Sequence, residues 1–416
     1  MRWVLAWSWI LGFGLPAVEA QGRSQNRPAE PGSELTVYLM TMGPGRQVWE
    51  RFGHNAIWIH DPIQGTDQAY NYGLFDFHQQ NFLLRFIRGQ MWYWMQGFQA
   101  RSYLGLYVRD NRSVWLQELN LPPRSRLQLQ QFLEWNERPE NRFYHYDYYR
   151  DNCSTRVRDA LDRVLGGAIK SQTSTLPTGA TYRFHTQRLT ANDPLIYTGL
   201  LVALGHYVDR PISAWEEMFL PVKVREHLRG VAISGPDGRP VPLVKSERTL
   251  FQSTAANPPE APPDWVPAYL GVGLLIGATL LFLGRAAPAR RSARYGLALA
   301  IAAWSVLIGV AGIVLAGLWG LTDHVAASRN ENVFQVNPLA LLLLTALPAI
   351  LRGGPVVSRL AQGVALALAG LSLLGLLLKL LPGFHQVNGP IIALALPAHL
   401  GAAAAVLGLA QGPRTR

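Results

Sequence analysis

The sequence predicts a globular α/β (α+β) domain that is exported and then held to a membrane by a five-helix transmembrane domain. Three observations carry that expectation. The N-terminus, MRWVLAWSWILGFGLPAVEA, has a basic start at Arg2, a short apolar core interrupted at Pro16 and small residues near Ala20, the pattern of a cleavable secretory signal. The last third of the chain holds five apolar segments, at about 266–284, 295–318, 335–351, 356–381 and 389–410; most reach the ~18–20 residues that a bilayer core requires. Between signal and segments, from Leu35 to about Leu250, strand-like alternation and helix-like spacing intermingle. The expected organisation is a signal peptide at 1–20, an exported domain at 21–253, a Pro-rich linker at 254–265, the transmembrane domain at 266–411 and a cytoplasmic tail at 412–416.

Within the exported domain, LTVYLMTMG from Leu35 alternates as a strand. His54–Asp61 follows a turn and reads as a second strand, with Ala56, Trp58 and His60 on one face and Ile57 and Ile59 on the other. QAYNYGLFDF from Gln68 reads as its pairing strand, and SVWLQELNL from Ser113 as another, ended by Pro122-Pro123. Leu127, Leu129, Phe132 and Leu133 give an amphipathic helix. Tyr144, Tyr146 and Tyr148 alternate again, Asp151-Asn152 break the pattern, and Val157, Leu161 and Leu165 continue at helical spacing. LIYTGLLVALGHYVD and SAWEEMFLPVKVREHLRG read as one helix each, and VAISGPDGRPVPLVKS as a hairpin through its PDG turn.

Charge gives the orientation. Residues 265–416 contain 10 of the 38 Lys/Arg and 2 of the 27 Asp/Glu, so most of the net charge of +11 lies in short loops of the apolar half. No basic folded face remains, which excludes a nucleic-acid partner. Arg285, Arg290, Arg291, Arg294, Arg352, Arg359, Arg414 and Arg416 fall on one side of the segments, and only Arg329 and Lys379 toward the other. The positive-inside tendency makes the eight cytoplasmic and residue 265 external, in agreement with the signal.

Cys153 is the only cysteine, so no intramolecular disulfide is available. Its expected position at a helix start, with Arg150, Arg156 and Arg158 nearby, favours a thiolate through unpaired N–H groups, the helix dipole and positive potential. The alternative is an inert buried thiol, less expected beside Asp, Asn, Ser and Arg. A cysteine nucleophile needs a base and an orienting group. His54, opening a strand beside Gly53, is the leading base; His145, on the strand leading to the cysteine, is its rival. Asn71, Asp76 or His60 could orient His54, and Asn152 lies where an oxyanion would be held. No HExxH or paired CxxC points to a metal. In the apolar half, His324, Asn330, Asn332 and Asn337 gather between segments two and three, and His399 lies inside segment five; polar groups at membrane depth mark either a working site or helix–helix hydrogen bonds.

FGHNAIWIHD followed by DNCST resembles the His-then-Cys order of permuted papain-like thiol enzymes, including the lecithin:retinol acyltransferase group. FGHNAIWI, YNYGLFDF, YYRDNCSTRVRDAL and AWEEMFLPVKV, together with DHVAASRNENVFQVNPL in the apolar half, resemble the Lnb-type lipoprotein N-acyltransferases. That resemblance implies a papain-like permuted catalytic domain on the periplasmic face of a bacterial cytoplasmic membrane. It also implies Cys153 as the acyl-accepting nucleophile, His54 as its base, a phospholipid acyl donor, a diacylglyceryl-cysteine lipoprotein as acceptor, and no cofactor. The rival enzyme class is a cell-envelope peptidase or amidase of the NlpC type, which needs the same Cys and His but gives no role to five helices with polar outer loops. A third class is a membrane-tethered scaffold using the aromatic patch MWYWMQGF.

Overall fold

The computed structural model describes residues 30–76, 80–353 and 357–410; the signal segment, Arg414, Arg416 and the tail lie outside the described residues. Strands β1 (Thr36–Met42), β2 (His54–Asp61), β3 (Thr66–Leu74), β4 (Trp92–Gln99), β5 (Val114–Leu119) and β6 (Phe143–His145) join a C-terminal strand, Val244–Phe251, in one seven-stranded sheet. The order is C-terminal strand, β5, β1, β2, β3, β4, β6, and every pairing is antiparallel. The domain is therefore of the α+β kind.

The two-residue periodicity decides which layer each side chain joins. Leu39, Ile57, Ile59, Tyr70 and Tyr72 are buried with the helix Pro123–Glu137 and the cysteine helix Cys153–Val164, whose Val157, Ala160 and Leu161 sit at i, i+3, i+4 spacing. Met40, Met42, Ala56 and Ala69 face the other way, under Tyr103 of the helix Ala100–Arg109.

Three expected elements change. The helix expected over 195–209 ends at Ala203, and His206–Asp209 forms a separate 3-10 turn. The tyrosine strand stops at His145, because the Asp147 carboxylate accepts from the Tyr149 and Arg150 amides and turns the chain before the cysteine. The helix expected over 213–230 is two, Ala214–Glu217 and Pro221–Leu228, since Pro221 cannot continue a helix but can begin one.

Five helices are long and apolar enough to cross a membrane: Val266–Ala286, Arg291–Gly320, Glu331–Arg352, Arg359–Leu380 and Gly389–Ala410. The third is the short segment of the sequence, and its backbone explains how it still spans. Pro338–Ala346 is a 3-10 helix, continued as α-helix over Leu347–Arg352. At a rise of ~2.0 Å rather than ~1.5 Å per residue, those residues gain roughly 4–5 Å of length. Gly312 of the second span makes room: a methyl there would lie 2.5 Å from the Asn337 carbonyl carbon. Gly273 and Gly277 of the first span likewise let the backbone of the fifth approach, the small-xxx-small mode of helix pairing in lipid. Gly353 packs against Arg294, so Arg294 and Arg352 lie at one end of the spans, while Lys379 pairs with Glu331 at the other.

The sheet domain is docked on that other end. Tyr197 and Leu201 of the helix Pro194–Ala203 pack against Leu315, Val336 and Ile391 of the spans. The last carbonyls of a helix have no partner within it. Here the Asn330 amide donates to Val202 O (2.8 Å) and Ala203 O (3.0 Å), Asn332 to Leu201 O (2.7 Å), and Gln386 to Leu204 O (3.0 Å). Replacing Asn332 by Ala strips buried carbonyls of a donor. It is expected to lower the stability of the detergent-solubilised protein by about 1–3 kcal/mol, read as a lower thermal midpoint; an unchanged midpoint would contradict the docking role.

Candidate active site

β2 begins and β3 ends at the same end of the sheet, since Ala56 pairs with Asn71. The cysteine helix starts at this end, under unusually complete capping. The Asn152 Oδ1 accepts from the Ser154 and Thr155 amides (both 2.9 Å), the Thr155 hydroxyl accepts from the Asn152 amide, and the Asn152 Nδ2 donates to Tyr148 O and Phe219 O. Asn152 thus builds the helix start, and its side chain has no capacity left to hold an oxyanion.

Next to the cysteine, the Ser154 hydroxyl donates to Asn55 Oδ1 (2.9 Å), and Asn55 Nδ2 donates to Thr41 Oγ1 (2.9 Å), all three side chains being buried. The residue after His54 is therefore bonded to the residue after Cys153, and two motifs 99 positions apart are locked together. Sequence reasoning missed Asn55; its signal was a polar residue in register with the inward Ile57 and Ile59.

Between Cys153 and His54 stands Gly73, also missed. It occupies a bulge in the β3–β4 register with φ +97°. A heavy atom in place of its absent side chain would lie 3.3 Å from Cys153 Cβ, 3.8 Å from His54 Cε1 and 3.9 Å from the Tyr144 hydroxyl. Three chemically active groups thus face one small gap that only glycine leaves open.

Of the three candidates for orienting His54, Asn71 does so, its Oδ1 bonded to His54 Nε2. An amide oxygen only accepts, so Nε2 carries the ring proton and Nδ1 keeps its lone pair. Tyr107 stacks on the imidazole at 6.4 Å with planes 12° apart. His60 is six residues along β2, roughly 20 Å away, and bonds Asp67. Asp76 follows the end of β3, next to residues outside the described set. The rival His145 pairs across the sheet with Trp92, its ring 4.0 Å from the indole.

The expectation of a ready thiolate does not hold. Burial pushes the Cys153 thiol up to about 11, against hydrogen bonds from Asn55 and Ser154 that act the other way. The three arginines supply little net field, because Arg150 pairs with Asp147, Arg156 with Asp151 and Arg158 with Asp159. Burial likewise lowers His54 to about 4, opposed by the Asn71 bond and helped by Arg112. The resting pair is thiol plus neutral imidazole.

The membrane-side residues occupy separate places rather than one cluster. His324 stacks on Tyr148, with ring centres 6.2 Å apart, and packs against Gly89. Asn330 and Asn332 hold the docking helix, and Asn337 caps the 3-10 segment by accepting from the Leu339 amide. His399 is buried within the fifth span, bonded to Ser372 and edge-on to Trp304. Near His324 lies a crevice between the domains. One cavity of about 510 Å³ is lined by His145, Tyr146, Asp147, Arg150, Asp151 and Asp323. A second of about 430 Å³ shares Arg150 and Asp323 and adds Trp319, Thr322 and His324. The loop before Cys153 is its wall. Among the described residues no group of three or more His, Cys, Asp or Glu could hold a metal.

Two outcomes follow. Because the thiolate fraction grows as pH approaches the raised thiol value, labelling of Cys153 by iodoacetamide should rise about tenfold per pH unit between about pH 6 and 9. A plateau through that window would mean a preformed ion pair. Gly73→Ala puts a methyl into the gap and a side chain at positive φ; a stability loss of about 1–3 kcal/mol is expected, with reaction toward esters falling further than iodoacetamide labelling. Equal falls in both would contradict the role of the gap.

Residues 29–188 match the family model described as the Lnb N-terminal periplasmic domain. No curated protein and no solved structure matches the chain. The folded domain runs past the matched region to the sheet strand that ends at Phe251, and the long apolar helices follow. A match to the Lnb N-terminal periplasmic domain at 29–188, followed by five helices long and apolar enough to cross a membrane, is consistent with an Lnb-type membrane protein.

Proposed function

We propose that the protein moves a fatty acyl chain from a membrane phospholipid to the α-amine of a diacylglyceryl-cysteine lipoprotein, through a thioester on Cys153. The observation that carries this reading is the gathering of Cys153 and Asn71-held His54 around the Gly73 gap, with the loop before the cysteine walling a crevice at the outer ends of the spans. Both substrates are anchored in the outer leaflet, so a nucleophile beside that crevice needs to reach only headgroup depth. The order of His54 before Cys153, with the cysteine at a helix start, supports reading the domain as a permuted papain-like one.

In this mechanism His54 Nδ1 takes the Cys153 proton as the sulfur attacks the ester carbonyl carbon. Collapse of the tetrahedral intermediate expels the lysophospholipid alkoxide, which takes that proton back from the imidazolium. The lipoprotein amine, with a pKa near ~8 and so partly neutral, loses a proton to His54 while attacking the thioester and releases Cys153. Two half-reactions through a covalent intermediate give ping-pong kinetics. A neutral resting pair suits a buried site, since ions form only when substrate is present. Asn71 keeps the imidazole aimed through both halves. The crevice favours this reading over an NlpC-type peptidase, whose polar substrate would have no use for a site beside the outer ends of the spans.

Purified protein incubated in detergent with phospholipid should gain one acyl mass on the Cys153 peptide, absent in Cys153→Ser and lost when a diacylated lipopeptide is added. An adduct that water alone removes would make the protein a phospholipase. Intact lipoprotein acylation in cells carrying Cys153→Ala or His54→Ala would overturn the proposal.

A further inference from the structure

Resting on the acyl-transfer reading above, we infer that the Tyr144 hydroxyl is the hydrogen-bond donor that stabilises the tetrahedral oxyanion. The helix start offers little for that task. The Ser154 and Thr155 amides are held by Asn152 Oδ1 and the Asn152 amide by Thr155, which leaves at most the amide of Cys153 itself. An oxyanion needs donors already aimed at the place where charge develops.

Tyr144 meets that requirement by position. Its hydroxyl lies 3.9 Å from the empty Gly73 side-chain position, which is 3.3 Å from Cys153 Cβ and 3.8 Å from His54 Cε1. The residue is 6% exposed, and among the described residues its hydroxyl has no hydrogen-bond partner. Neighbouring tyrosines differ: Tyr72 donates to Asn136 (2.7 Å), and the Tyr103 and Tyr107 hydroxyls bond each other (2.7 Å). A buried polar group left open calls for an explanation, and a carbonyl oxygen that becomes negative in the gap supplies one. The ring is fixed for the purpose, with the Arg156 guanidinium 4.3 Å over it and Tyr72 edge-on at 6.3 Å. Burial raises the Tyr144 phenol well above its usual range, so it stays a donor at any working pH.

In the step itself, the sulfur lone pair forms the S–C bond and the carbonyl π pair moves onto oxygen. Tyr144 O–H donates to that oxygen without giving up its proton. The pair returns to re-form C=O as the alkoxide leaves with the proton held by His54. The same donor serves the second half-reaction, where the thioester carbonyl occupies the gap.

Tyr144→Phe keeps the ring and the Arg156 contact and removes one O–H. With p-nitrophenyl butyrate as a small acyl donor, the rate of the p-nitrophenolate burst is expected to fall by about 10²–10³-fold. KM, the thermal midpoint and the rate of iodoacetamide labelling of Cys153 should stay near wild type, because alkylation develops no oxyanion. Tyr72→Phe, which also removes a buried hydroxyl from this layer, should leave the burst rate unchanged. An unchanged burst in Tyr144→Phe, a parallel fall in alkylation, or an equal loss in Tyr72→Phe would overturn the assignment. A wild-type burst with p-nitrophenyl butyrate but no adduct from phospholipid would refute the substrate reading alone, and Tyr144 would still be judged on the burst. A wild-type protein acylated by neither ester refutes both.

Discussion

The hydrogen bond from Ser154 to Asn55 is the constraint on which the site depends. It joins the strand that carries the histidine to the helix that carries the cysteine, and it is buried, where a lost partner costs about 1–3 kcal/mol. Asn152 reinforces it from the other side by fixing the first turn of the helix and tying that turn to Phe219. The side chains of both asparagines are engaged in structural hydrogen bonds. Both confine Cys153 to a narrow range of positions at the end of the sheet, which is what a reaction sensitive to ångström-scale displacement requires.

The same enclosure governs the electrostatics. A helix start among arginines suggests an ionised thiol, but taking the sulfur out of water outweighs both influences, and each arginine is answered by an aspartate. The cost of burial falls on both partners, raising the thiol and lowering the imidazole. In the proposed mechanism, proton transfer from sulfur to His54 is therefore coupled to the arrival of substrate rather than completed beforehand. A neutral thiol is protected from adventitious alkylation, and the proposed reaction relies more heavily on whatever donors await the developing oxyanion.

In the apolar half, small residues and a stretched backbone do the work that hydrophobicity cannot do within lipid. Gly273, Gly277 and Gly312 let backbones meet, and the 3-10 run at Pro338–Ala346 lengthens a span that would otherwise be short. The polar residues of the outer loops then cap a helix of the sheet domain. The crevice beside Arg150 and His324 sits where the two halves meet, so the docking contacts also determine how the cysteine loop faces the outer ends of the spans.

Local pattern by itself determined the strands at Thr36 and His54, the helix starting at Cys153 and the apolar spans, because periodicity, capping residues and segment length are properties of neighbouring residues. Partner choice was not legible. Asn71, Asp76 and His60 were equivalent in sequence, and only the β2–β3 register brings Asn71 onto the imidazole. The membrane-side asparagines could equally have been ligands or caps, and only the docking of Pro194–Ala203 made them caps. Burial decided the rest: the ionisation of Cys153, the gap left by Gly73 and the Tyr144 hydroxyl, unpaired among the described residues, arise from atoms distant along the chain, whose packing no local pattern encodes.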